Sequence, residues 1–246
     1  PSSRHSTGYS DMSLRRRADH SVGSVELRWV HDPAGRRVSA GERLATECSV
    51  VPTVDAGVGL SEACGLVVVA TIRALKMHGG LPKSELGHED LEALSKGVPN
   101  LLRHVSNIKN VFRLPCVVAV NKFPTDTDSE VRFIIDRCRE LGVNVVLSNV
   151  WAEGGAGGEE LAREVVRLCK EEKGDFRFSY ELDAGIEEKL EAVTKRIYGG
   201  AGISVLPGAK KQIEELTRLG FGALPVCIAK TQYSFSDDAS KLGAPE

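Results

Sequence analysis

The run Val117-Val118-Ala119-Val120 is apolar without a break and mostly β-branched, and it stops at once in Asn121-Lys122-Phe123-Pro124-Thr125-Asp126-Thr127. A strand buried on both faces shows no polar alternation, so this run reads as an inner strand of a parallel sheet. Asn, Lys and Pro mark its carboxyl end. Parallel strands need long crossovers, so helices should stand between such runs. Ligands of open α/β sheets bind at the carboxyl ends of the strands, although a polar loop there can equally be a plain connection.

The same pattern recurs along the chain. Leu66-Val67-Val68-Val69-Ala70 is a continuous apolar strand, Val143–Leu147 is another, and Leu224-Pro225-Val226-Cys227-Ile228-Ala229 runs into Lys230-Thr231-Gln232-Tyr233. Between them the apolar spacing turns helical. Residues 89–108 carry Leu91, Leu94, Leu101, Leu102, Val105 and Ile108, but Gly97 and Pro99 interrupt the stretch, so two helical pieces are expected. Thr127 and Glu130 stand at capping-box spacing before Val131, Ile134, Ile135, Cys138 and Leu141. Further helices are expected through Leu161, Val165 and Leu168, through Ile186–Ile197 closed by Gly199-Gly200, and through Ile213–Leu219 closed by Gly220. The fold class is therefore α/β, a parallel sheet with flanking helices.

At 246 residues with 41% hydrophobic content, the chain can form one large α/β domain or two small ones. Its 32 basic and 34 acidic residues nearly cancel, so no general attraction to nucleic acid or to an anionic membrane is implied. No apolar run is long enough for a membrane span. Six scattered cysteines without a CxxC pair read as reduced core residues of a cytosolic-type protein. Before residue 64 the periodicity is weak, apart from a strand-like Val25–Val30, and the Ser/Arg-rich opening reads as a poorly ordered, solvated arm. The chain opens on Pro1, and a fragment of a longer protein is expected.

If the sheet is parallel, the strand ends bring together Thr71 and Arg73, the loop 121–127, the loop 151–158 and residues 230–233. Phe123 and Trp151 stand out because aromatic residues are scarce here, at 5%, and both lie in polar loops bearing glycine or proline. A flat ligand could stack on them, for about 1 kcal/mol beyond buried area, or both rings could simply cover the sheet end. Arg73, Lys76, Lys122 and Lys230 are the cations nearest that edge and could neutralise a phosphate or carboxylate. Asn121-Lys122 resembles the first half of the Asn-Lys-x-Asp loop of guanine-nucleotide proteins, but the fourth position is Pro124 and Asp126 comes two residues late. No Gly-x-x-x-x-Gly-Lys-[Ser/Thr] phosphate cradle occurs in the sequence. The glycines from Gly154 to Gly158 open a helix and could offer N–H groups to an anion, or serve as a flexible helix start. His78, His88 and His104 have no metal-ligand spacing and read as surface or turn residues, so no metal site is assigned.

The segments Ala70–Gly80, Val118–Thr127, Trp151–Gly155 and Leu224–Ser234 together resemble formate tetrahydrofolate ligase, also called 10-formyltetrahydrofolate synthetase. The resemblance covers about residues 64–246 and leaves 1–63 unmatched, as a disordered or foreign segment. It implies a P-loop NTPase-like α/β fold, here an incomplete one lacking the N-terminal phosphate-binding part and the C-terminal part. It implies a two-step reaction, in which formate takes the γ-phosphoryl group of ATP, with Mg²⁺, and the formyl phosphate then formylates tetrahydrofolate. By resemblance, Phe123, Pro124, Leu147 and Trp151 line the folate site, with Phe123 and Trp151 as a sandwich. Thr71, Asn121, Lys122 and Asp126 face the nucleotide and phosphoryl region, and Arg73 is the catalytic candidate. The implied partners are the small molecules formate, ATP and tetrahydrofolate, without nucleic acid or membrane, in a cytoplasmic or organellar protein that could be a homo-oligomer. The isolated chain is expected to be inactive. A non-catalytic folate- or nucleotide-binding module and an unrelated P-loop-like NTPase are the alternatives.

Overall fold

The structure is a computed structural model that describes residues 65–226, 235 and 241–242, together with the strand Glu26–Arg28. Four strands form one sheet in the order β1-β2-β3-β4: β1 Glu26–Arg28, β2 Leu66–Ala70, β3 Cys116–Asn121 and β4 Val145–Ser148. Strands β2, β3 and β4 are parallel, with Leu66 opposite Cys116 and Asn121 opposite Ser148, while β1 pairs antiparallel with β2. The expected parallel sheet is present. Strand β1 lies inside the stretch expected to be poorly ordered, and the rest of residues 1–63 falls outside the described residues.

The unbroken apolar runs exist because helices cover both faces. Val68, Ala70, Val118 and Val120 belong to the larger cluster, with Leu75, Leu94, Leu101, Val105 and Ile134. Val67, Val69, Val117 and Ala119 meet Val165 and Leu168 on the opposite face. Helix α1 (Ile72–His78), α2 (Leu91–Ser106) and α3 (Asp128–Glu140) build the first layer, and α5 (Glu159–Glu171) the second. A single helical turn, α4 (Val150–Glu153), follows β4. Helices α6 (Ile186–Val193) and α7 (Pro207–Arg218) come last, and Gly199 (φ 75°) and Gly220 (φ 90°) adopt the left-handed conformation that ends such segments. Burial pushes the Cys116 and Cys138 thiols up to about 12, so both stay protonated in the core.

Helix α2 corrects the expectation of two pieces: it runs unbroken through Gly97 and Pro99 and continues into a π-helical turn, Asn107–Val111. Pro99 lies on the exposed face, as does Ser95, whose carbonyl loses the Pro99 donor and can turn to water. Leu94 and Leu101, both fully buried, hold the helix to the core on either side of the proline. Burial of each such side chain contributes about 1.5–3 kcal/mol, against a proline cost of about 3 kcal/mol. Gly97 is a packing contact, since a Cβ there would come within 1.7 Å of the Leu75 carbonyl oxygen. Gly79 meets Ala93 in the same way, at 1.8 Å. The two glycines let α1 and α2 cross backbone to backbone.

Other differences are smaller. The expected Trp151 loop is the helical turn α4, followed by a 3-10 turn at Ala156–Gly158. Residues 224–226 are irregular, and the remainder of that expected strand lies outside the described residues. Among the described residues no helix is long and apolar enough to cross a membrane.

Candidate functional site

The parallel register brings the carboxyl ends of β2, β3 and β4 to one edge. At the end of β2, Thr71 caps α1, and its Oγ1 accepts a hydrogen bond from the Ala74 N–H at 3.1 Å. Arg73, in the first turn of α1, reaches across to the β3 loop. Its guanidinium carbon lies 4.9 Å from the Phe123 ring centroid, and Nη2 donates to Thr125 Oγ1 at 3.2 Å. A cation over an aromatic face at a partly exposed site contributes about 0.5–1 kcal/mol.

The β3 loop is a tight turn over Phe123-Pro124-Thr125-Asp126. Proline suits the second position of such a turn because its φ is already set. The Asp126 N–H donates to the Phe123 carbonyl at 2.9 Å, and Asp126 Oδ2 accepts from the Phe123 N–H at 2.8 Å. Asp126 is only 6% exposed, and burial pushes its pKa up, opposed by the Phe123 N–H. Two buried polar atoms at this edge have no hydrogen-bond partner, Asp126 Oδ1 and Arg73 Nε. Asn121 lies opposite Ser148, and the Lys122 N–H donates to the Ser148 carbonyl at 3.2 Å, which ties the loop to β4. Lys122 Nζ pairs with Asp128 at 2.9 Å and holds that exposed carboxyl below its ordinary value.

Leu147 is half-buried on the α1–α3 side of the sheet, and Pro124 is exposed. Trp151 projects from α4 and is 80% exposed, with no ring contact to Phe123 among the described residues. The glycines around it are there for geometry. Gly154 has φ 59°, and a Cβ on Gly157 would lie 2.4 Å from the Asn149 carbonyl oxygen. The Asn149 N–H donates to the Gly157 carbonyl, closing the loop on itself. Residues 230–233, the expected fourth contribution, fall outside the described residues.

Lys76 and His78 depart from expectation. Lys76 is fully buried, and Nζ donates to Glu130 Oε1 at 2.8 Å and to the His88 carbonyl at 2.6 Å, so it cannot neutralise a ligand at the edge. His78, expected at the surface or in a turn, is buried at the end of α1. Glu130 is the residue that sequence reasoning undervalued. It completes the expected capping box, with Oε2 accepting from the Thr127 N–H at 3.1 Å. Oε1 also takes the Lys76 ammonium and the Asp90 N–H. The capping-box spacing announced Glu130 as a cap, and only its complete burial reveals it as the tie between α1, α3 and residues 88–90.

An α/β protein with a fixed, aromatic-bearing turn at the carboxyl edge of a three-stranded parallel sheet is the class these features define. The family model described as formate–tetrahydrofolate ligase matches residues 56–246, and the chain belongs to that family. The match takes in all of the site residues above. Members are ligases acting on formate and tetrahydrofolate, so the family's substrates are small molecules.

Proposed function

We propose that this chain carries the tetrahydrofolate side of a formate–tetrahydrofolate ligase site, in a P-loop NTPase-like α/β fold. The observation that carries the reading is the presentation of Phe123. Its backbone is closed in a turn, Arg73 lies over its ring, and the residue is only partly buried, so ring surface remains for a flat ligand. Trp151, largely exposed on the neighbouring loop, supplies the opposing ring when the folate bicycle is bound. Pro124 and Leu147 border the same space. Thr71, Arg73, Asn121 and Lys122 face the phosphoryl side, where the Arg73 guanidinium stabilises the developing negative charge.

ATP and Mg²⁺ belong to the family's reaction. Among the described residues no cluster of three or more His, Cys, Asp or Glu could hold a metal ion. The sequence has no Gly-x-x-x-x-Gly-Lys-[Ser/Thr] cradle. With no such cradle in the sequence, we expect these 246 residues alone not to turn over ATP, formate and tetrahydrofolate.

Titration calorimetry of the purified chain with tetrahydrofolate tests the folate assignment. Loss of the Phe123 stack in Phe123→Ala should weaken binding about tenfold, and adding Trp151→Ala should weaken it about tenfold again. Unchanged affinity in the double variant would refute the pocket. A coupled ligase assay separates this reading from a non-catalytic folate-binding module, because formation of 10-formyltetrahydrofolate by the chain alone would show that it holds a complete catalytic site.

A further inference from the structure

We infer that Asp126 is the positioning residue of the Phe123 platform and not a ligand of nucleotide. The inference rests on the folate reading of Phe123 given above. Resemblance groups Asp126 with the nucleotide-facing residues, yet its side chain is turned into its own loop. Asp126 is 6% exposed, and its Oδ2 accepts from the Phe123 N–H at 2.8 Å. Oδ1 is buried without a partner, so an incoming base or metal could reach it only if the turn opened.

The arrangement is costly, because a buried carboxylate with one direct hydrogen bond gives up more solvation than it recovers. What it secures is geometry. Upstream, the Lys122 N–H is tied to Ser148; downstream, the Thr127 N–H is tied to Glu130. Between those anchors the carboxylate and the Asp126 N–H close the turn from both sides of Phe123. Arg73 adds a third hold from outside, over the ring and on Thr125. A stacking surface discriminates only if its plane is held in place before the ligand arrives, and this ring is so held.

Because Asp126 acts through Phe123, its removal should matter only while the ring is there. Tetrahydrofolate affinity of the full chain is measured by calorimetry for wild type, Asp126→Ala, Asp126→Asn, Phe123→Ala and the double variant Asp126→Ala/Phe123→Ala. Asp126→Ala should weaken binding about tenfold, as expected for loss of a hydrogen bond to a charged acceptor. Asp126→Asn should recover most of that loss, since its amide oxygen still accepts from the Phe123 N–H. The double variant should bind no more weakly than Phe123→Ala. Multiplying losses in the double variant, or Asn behaving like Ala, would show direct contact with ligand and overturn the inference. Full affinity in Phe123→Ala would instead overturn the folate reading itself. Amide hydrogen exchange of wild type covers the case in which Asp126→Ala fails to fold. The Phe123 N–H should be protected although it lies in a loop, and fast exchange there would also refute the role.

Discussion

Replacing Glu130 by Gln keeps the side chain's shape and one acceptor but removes its charge, leaving the Lys76 ammonium buried without a counter-ion. Both side chains are 0% exposed, and they meet at 2.8 Å. Breaking a buried pair from one side costs about 3–5 kcal/mol, most of it the burden of the unpaired charge. The acceptors left to Nζ, the His88 carbonyl and the Gln amide oxygen, are both neutral and do not neutralise that charge. The Asp90 and Thr127 N–H groups compete for the one oxygen Gln retains, adding up to about 1 kcal/mol. The expected loss of about 4 kcal/mol should lower the urea midpoint by about 2 M, for a slope of about 2 kcal/mol/M. Far-UV circular dichroism against urea measures it. Lys76→Met should cost about 3 kcal/mol alone, and Lys76→Met/Glu130→Gln should recover much of the loss, because neither charge is then stranded. A loss below about 1 kcal/mol in Glu130→Gln, or a double variant as unstable as the sum of the singles, would refute the reasoning.

Gly97→Ala tests the crossing of α1 and α2. Its Cβ would meet the Leu75 carbonyl oxygen at 1.7 Å, and because the neighbour is backbone the helices must separate, for about 3 kcal/mol, read from the same urea transition. A neutral Gly97→Ala would contradict the backbone contact. Asp126 predicts a pH dependence. Its folded pKa is raised above the unfolded value, chiefly by burial, so the native state binds the extra proton and stability falls as pH rises from about 4 through the folded pKa. Glu130 adds to the shift, while the Phe123 N–H, Lys76 and Arg73 oppose it. Relative to Asp126→Asn, the wild type should therefore lose stability over that window, and a difference that stays flat or grows in favour of wild type would reverse the assignment.

The strands at Leu66–Ala70, Cys116–Asn121 and Val145–Ser148, the cap at Thr127 and the helix ends at Gly199 and Gly220 were legible because each depends on residues within a few positions of one another. The carboxyl edge as the place to look for a site followed from the parallel order alone. The break expected at Gly97 and Pro99 did not occur, because the pull of Leu94 and Leu101 into the core is a tertiary term that a local breaker rule does not contain. In the site, the candidates around residues 121–127 could be read from the sequence, but their partners could not.

The sequence by itself determined an α/β chain, a parallel sheet, an aromatic-bearing loop at a strand end and, through several long segments, the family. Those properties reside in local patterns of apolarity, capping and residue order. Only the tertiary structure decided that Arg73 lies over Phe123, that Lys76 is locked to Glu130 and unavailable to ligand, and that Asp126 faces inward to its own turn. The two long-range contacts join residues 50 and 54 apart in the chain, on α1 and on the segment after β3. Strand order and register brought them together, and burial then fixed which charges remained free.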